Sequence, residues 1–425
     1  MFRLARSFVR ERSGREGMEE GNLAGSVNSS GGIRRIPMSA PDLGPAEREA
    51  VAAVLRTPRL SMGPEIEGFE AQIQAYCGAR HAIAVSSGTT GLHLCVCAAG
   101  IADSDLVITT PFSFVSSANV LLYERAVPIF VDVDPVTGNL DPALAAQAAE
   151  DLKSGGDRAA KWLPRQGSDP NSVLKGILSV DVFGQPADYD ALRRIVQDEN
   201  LILIEDSCEA LGASYRSRPA GMLGDMGVFA FYPNKQITTA EGGMVVTDDD
   251  NVAERIRALR NQGRAPGDTW LDHTYLGFNY RLSELSAALG RVQMTRLEEL
   301  LQKRERVADW YGERLAEIPS VEPPQIVPST TRVSWFVYVI RLPEEVDRQA
   351  LAARLEARGV PTRPYFTPIH LQPYFRERFD YRPGDFPVTE DLGRRSMALP
   401  FSGTLSEEDV DYVCQELRAA LGAGG

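Results

Sequence analysis

The sequence predicts an α/β protein: a large domain with a mostly parallel seven-stranded sheet sandwiched by helices, followed by a smaller α+β C-terminal domain. Three observations lead there. The chain has 425 residues, too many for one small core and enough for two domains. Short, nearly all-apolar runs recur at 81–85, 106–109, 127–133, 176–182, 201–205, 228–231 and 244–247, as expected of strands buried on both faces. Helix-patterned segments separate most of these runs, which is the alternation of a parallel sheet.

Residues 1–36 are rich in Arg, Gly, Ser and Glu and read as a flexible N-terminal extension. Met18 is an alternative start. The large domain is expected over 37–290. Its first helix opens near Pro45, a residue suited to a first turn, with Ala50, Val51, Val54 and Leu55 on one face. A helix around 92–99 follows the Ser-Ser-Gly-Thr-Thr-Gly run, and others are expected at 116–123, 143–152 and 189–197. Residues 153–172 interrupt this rhythm with Gly, Pro and charge, and read as a surface loop. From Ser283 one long amphipathic helix is expected, with Leu285, Leu289, Val292, Leu297, Leu300 and Leu301 roughly on one face. It crosses into the small domain, 291–425. There 337–342 reads as a strand, 348–357 and 407–421 as helices.

Composition excludes several function classes. The formal net charge of −13 argues against sequence-independent nucleic-acid binding, so an anionic ligand would need a local basic pocket. No run of eighteen apolar residues suggests a membrane span. The five cysteines are odd in number and without paired spacing, which fits reduced thiols in the cytoplasm. The four histidines form no HExxH arrangement, so no metal site is expected. The N-terminus lacks the apolar core of a signal peptide, and Glu11, Glu16, Glu19 and Glu20 oppose a transit peptide.

Four pieces carry chemistry. Lys235 is one of five lysines among forty arginines. It stands between a β-prone stretch and a Thr-Thr-Ala-Glu-Gly-Gly turn, where an amine can bond a carbonyl while glycines admit a bulky ligand. Ser86 to Gly91 lie where a strand gives way to a helix. There the free N–H groups make a phosphate cradle, although a plain N-cap reads the same way. Asp206 ends an apolar strand, where ligands of open α/β sheets gather. It can face a cationic nitrogen, or cap the next helix. Phe114 follows a strand and offers a face for a flat heterocycle, or is core. One cradle, one ring, one acid and one lysine are a complete inventory for pyridoxal 5′-phosphate.

Ordered blocks from about Ile36 to the C-terminus sharpen this. RLSMGPEIEGFE, AVSSGTTGLHL, PFSFVSSAN, FVDVDPVTGNLD, VDVFGQPAD, IEDSCEALGA, FAFYPNKQITTAEGGMVVT, LGFNYRLSELSAALG and PIHLQPYF resemble the DegT/DnrJ/EryC1/StrS sugar aminotransferases. The resemblance implies fold type I of the pyridoxal-phosphate transferases. It implies Lys235 as the lysine bonded to the cofactor, Asp206 as partner of its ring nitrogen, and Phe114 as its stacking ring. Gly88, Thr89 and Thr90 would hold its phosphate, Thr89 and Thr90 through N–H and hydroxyl groups. Asn279 resembles the asparagine that reaches a neighbouring subunit's phosphate, which implies a homodimer with shared sites. His370 resembles a residue on the substrate side. Arg59 and Arg363 flank matching blocks and are candidates for the substrate's charge.

Three positions depart from the pattern. Ala230 stands where many members have a phosphate-binding serine, so Asn234 or water would substitute. Glu209 stands where many have Gln or His donating to the cofactor's phenolic oxygen; it is carried over as a cofactor-binding residue, although a carboxylate would repel that oxygen unless protonated or turned away. Asp181 replaces a common His and receives no role. The implied reaction moves an amino group from L-glutamate to a keto sugar carried on a nucleotide. Alternatives within the family are cyclitol or aminobenzoate-type substrates, or sugar 3-dehydration, which Lys235 opposes because those members carry His there. A regulatory protein without catalysis is a further alternative, opposed by the intact constellation.

Overall fold

The protein is described by a computed structural model covering residues 34–169 and 172–422. Most of the expected extension therefore lies outside the described residues. Ile36 is already packed, 4 % exposed, with its N–H donating to the Gly359 carbonyl at 2.9 Å.

A seven-stranded sheet organises the fold. In spatial order its strands are His81–Val85, Gly243–Thr247, Met226–Ala230, Ile202–Asp206, Leu174–Val180, Leu106–Thr109 and Val127–Phe130. Gly243–Thr247 runs antiparallel to both neighbours, and every other pairing is parallel. The sheet is apolar because helices cover it. Ile83, Val85, Leu178, Val228 and Val245 pack with Leu92 and Leu94 in one core cluster, while Ile108, Ile129, Ile177 and Leu203 pack with Ala145, Ala148 and Leu192 in another. Strand ends Val85, Asp206 and Ala230 lead directly into the polar motifs.

A second, three-stranded antiparallel sheet, Tyr338–Arg341, Ser396–Leu399 and Arg363–Pro364, lies towards the C-terminus. Helices Leu297–Leu315, Arg348–Ala357 and Glu407–Gly422 contribute Tyr311, Leu351, Leu355, Val413 and Leu417 to its core.

Several expectations need correction. The single helix from Ser283 is two, Glu284–Thr295 and Leu297–Leu315, broken at Arg296. Arg296 there turns its guanidinium to Asp42, Glu47 and Glu299. The 153–172 loop begins inside the helix Pro142–Ser154 and contains a short helix, Gly156–Ala160. The helix Pro64–Cys77 was not expected at all. It starts where the Glu284 carboxylate accepts N–H groups of Gly63, Glu65 and Ile66 at 2.9–3.1 Å, a remote cap invisible to local patterning. Among the described residues no helix is long and apolar enough to cross a membrane.

Candidate active site

Three strand ends meet at Gly88. A Cβ built there would lie 2.7 Å from Cys208 Sγ and 2.8 Å from Ala230 Cβ. Only glycine lets the helix Gly88–Ala98 begin this close to both the Asp206 loop and the strand before Lys235. The helix is capped by Ser87, whose Oγ accepts the Thr90 N–H at 3.1 Å, while the Ser87 N–H donates to Thr90 Oγ1 at 3.0 Å. Thr90 Oγ1 in turn donates to the Ser87 carbonyl at 2.8 Å. The amide and hydroxyl of Thr90 thus take part in the helix cap. The amides of Gly88 and Thr89, at the first two helical positions, have no intrahelical acceptor and carry the positive end of the helix dipole.

Lys235 follows the strand Met226–Ala230 in a turn closed by its N–H on the Tyr232 carbonyl at 2.9 Å. Its Nζ lies 3.7 Å from Glu209 Oε1 and 3.7 Å from the centre of the Phe336 ring. Phe336 comes from the C-terminal part of the chain and carries no motif, so sequence reasoning missed it.

Glu209 is 7 % exposed, and its Oε2 accepts the Phe183 N–H at 2.9 Å. Phe183 holds a left-handed backbone, φ 59°, an unusual conformation for a bulky residue that aims this N–H inward. Burial raises the Glu209 carboxyl above its usual range, and the Lys235 charge opposes that rise.

Asp206 is 5 % exposed at the end of its strand, one oxygen accepting the Cys208 N–H at 3.2 Å. Burial raises its pKa, and the Lys235 charge again pulls it down. Behind it sits a buried cluster. Ser207 Oγ lies 2.6 Å from Asp181 Oδ2 and 2.8 Å from Glu205 Oε1. One hydroxyl proton cannot serve both carboxylates, so a second proton belongs to the group. Glu205 accepts N–H groups of Gly221, Leu223 and Gly224, which favour its ionised form. Asp181 therefore takes the proton, its pKa driven well up by burial and then by the Glu205 charge.

The remaining predicted residues divide. Phe114 is 61 % exposed, an aromatic face held out beside the helix Ser116–Tyr123. Asn234 Oδ1 is buried without a hydrogen-bond partner, so the amide next to Lys235 is unengaged at that atom. Arg363 is exposed, with Nη1 donating to the Thr362 carbonyl at 2.8 Å. Its charge acts on the Tyr365 phenol, which also feels Glu209 and is pushed up to about 12 by burial; that puts Arg363 at the edge of the cluster. Arg59 is exposed, its side-chain stem against Gly63. Asn279 is exposed and belongs to no part of the buried cluster within one chain.

His370 requires correction. It is fully buried, edge-on to Phe386 at 4.7 Å, with Nε2 3.1 Å from Glu390 Oε1. The neighbouring Ile369 N–H donates to the Pro111 carbonyl at 2.8 Å, so the ring is packed against the large domain with no exposed surface, and its Nδ1 has no hydrogen-bond partner. His93, Cys97 and Glu124 also lie within 4.8 Å of one another. Both ring nitrogens of His93 already have partners there, Glu124 Oε1 at 2.8 Å and the Tyr280 hydroxyl at 3.1 Å.

These residues suit pyridoxal phosphate. The glycine-lined helix start offers N–H groups to a phosphate, a buried acid suits a ring N–H, an exposed ring offers a stacking face, and an amine lies between an acid and an aromatic ring. The missing serine hydroxyl at Ala230 is the one weak point of the donor set.

Comparison with known proteins identifies the family. Residues 41–418 match the model of the DegT/DnrJ/EryC1/StrS aminotransferase family. A GDP-perosamine synthase of Caulobacter vibrioides is 37 % identical over 92 % of this chain and 99 % of its own. Among solved structures, Helicobacter pylori PseC, an aminotransferase involved in the biosynthesis of pseudoaminic acid, superposes with a TM-score of 0.81. It is 26 % identical over 92 % of this chain and 100 % of its own. S. venezuelae DesV gives 0.77 at 32 % identity, over 88 % and 95 %.

Proposed function

The chain belongs to the DegT/DnrJ/EryC1/StrS aminotransferase family, and from that premise we propose that it transfers an amino group from L-glutamate to the keto group of a nucleotide-linked sugar. It is a pyridoxal-phosphate-dependent aminotransferase. The observation that carries the reading is the convergence of Lys235, Asp206 and the Gly88 helix start, brought together by close packing at Gly88.

When bound, the cofactor supplies a carbonyl that takes up amines and a protonated ring that draws charge from the substrate carbon. Lys235 is the amine that would hold that carbonyl, and its Nζ would carry the proton removed from and returned to the substrate's α-carbon. Asp206 holds the proton on the ring nitrogen. The Gly88 and Thr89 amides would hold the phosphate, with Asn234 as the candidate donor in place of the missing serine, and Phe114 would offer its face to the ring. Glu209 orients Lys235 Nζ. Arg363 and Arg59 are the cations offered to the nucleotide's phosphates. Residues 37–290 act as the cofactor-binding domain, and 291–425 as the domain that brings Phe336 and Arg363 to it.

The enzyme works as a homodimer with shared sites. Trp270, Leu271 and Leu276 are 77 %, 79 % and 92 % exposed just before Asn279, a patch of the kind that a second copy covers. Free cysteines at 77, 95, 97, 208 and 414 fit work in the cytoplasm. The relative named GDP-perosamine synthase makes guanosine-diphosphate keto sugars the first substrates to test. The test is incubation of the loaded enzyme with glutamate and a panel of keto-sugar nucleotides, followed by mass spectrometry. An amine product supports the reading; exchange with glutamate but none of the sugars would move it to a cyclitol or aminobenzoate-type acceptor.

A further inference from the structure

Arg304 is 4 % exposed, and its hydrogen bonds go to backbone carbonyls. Nη2 donates to the Asn234 carbonyl at 3.1 Å and the Lys235 carbonyl at 2.6 Å. Nη1 donates to Trp335 and Phe336 at 3.2 and 3.3 Å. The fork therefore divides between two segments far apart in sequence, one nitrogen for each. The same segments meet again where Lys235 Nζ rests 3.7 Å from the centre of the Phe336 ring. A parallel tie runs from Gln236 Nε2 to the Glu209 and Ser334 carbonyls at 2.6 and 3.2 Å. Burial alone lowers the Arg304 guanidinium to about 10. A buried charge held by carbonyl dipoles is costly, and lysine, a single point charge, cannot bridge two segments as a fork does.

We propose that Arg304 is a positioning residue for Lys235: it locks the Asn234–Lys235 backbone to the Trp335–Phe336 backbone, so that the amine is held between Phe336 and Glu209 at the angle needed to bond the cofactor carbonyl. The inference rests on Lys235 being that amine. A bond of this kind forms only from a narrow set of approach geometries. Loosening the backbone at Lys235 therefore weakens binding of the aldehyde form of the cofactor. The amine form, pyridoxamine phosphate, makes no bond to Lys235, and its binding stays as it was.

The experiment is titration of apo-enzyme with pyridoxal phosphate and with pyridoxamine phosphate, followed by absorbance and by quenching of tryptophan fluorescence. Wild type, Arg304→Met and Arg304→Lys are compared. Arg304→Met is expected to lose tenfold or more in affinity for the aldehyde form and less than threefold for the amine form. Arg304→Lys, which keeps the charge without the fork, is expected to lose threefold or more for the aldehyde alone. It carries the test if the methionine variant does not fold. Equal losses for both forms, or no loss, would show a merely structural side chain and overturn the proposal. A wild type binding neither form would overturn the pyridoxal-phosphate reading itself, so the two failures are distinguishable.

Discussion

Lys235 Nζ sits 3.7 Å from Glu209 Oε1, and Glu209 is pinned in turn by the N–H of Phe183 at 2.9 Å. The Lys235 amine is thus referenced to the left-handed turn at Phe183 that follows the strand Leu174–Val180. Glu209→Gln keeps an acceptor for Phe183 but removes the ionic half of the contact. Turnover at pH 7 is expected to fall roughly tenfold, which corresponds to about 1.4 kcal/mol, with the melting temperature unchanged or raised. Steady-state kinetics and a thermal melt check this, and undiminished turnover would remove Glu209 from the site.

Asp181 gives a pH prediction. Its pKa is raised in the folded protein by burial and by Glu205, so the folded state binds the extra proton. The associated stability is complete below the unfolded carboxylate pKa of about 4 and declines as pH rises towards the folded value. Asn at this position mimics the protonated acid: it still accepts from Tyr189 and Ala187 and can donate to Ser207. Asp181→Asn is expected to be more stable than wild type by about 1 kcal/mol or more at pH 8, with no advantage at pH 4. Denaturant melts at the two pH values test it; an equal effect at both would show that Asp181 does not titrate.

Gly88 is predicted to be intolerant of any side chain. The added Cβ of Gly88→Ala would press on Cys208 and Ala230, costing about 1–3 kcal/mol by overpacking and pushing the helix start out of the cradle. Cofactor affinity should fall at least tenfold, by absorbance titration. A variant with normal affinity would place the phosphate elsewhere.

Sharing of sites between subunits has its own test. Lys235→Ala and Asn279→Ala proteins, each inactive, are mixed and allowed to exchange subunits. If Asn279 serves the neighbouring site, mixed dimers hold one intact site, and about a quarter of wild-type activity returns, as twofold symmetry dictates. No recovery, with subunit exchange demonstrated, would confine each site to one chain.

Much of this was legible in the sequence because strands buried on both faces are apolar throughout, and because Asp206 and the turn bearing Lys235 follow strand ends, where motifs and topology coincide. What escaped depends on contacts distant in sequence. The helix break at Arg296 is hidden because the apolar periodicity continues through it. At the break Arg296 pairs with Asp42 and Glu47, both far away in sequence. Arg304 is one of forty arginines and Phe336 one residue of an apolar run, and only the fold brings them to Lys235. Thr90 and His370 lie in motifs that suggest a site, and only the fold shows that Thr90 also takes part in the cap at Ser87 and that His370 is buried beside Phe386 and Glu390.

The proposed function requires a bond between Lys235 and the cofactor. Borohydride reduction of the loaded enzyme, followed by peptide mass mapping, tests it most directly, since the chain offers only five lysines. The phosphopyridoxyl mass is expected on the peptide carrying Lys235 and on no other. Its appearance on Lys153, Lys161, Lys175 or Lys303 instead, or on no peptide at all, would contradict the account.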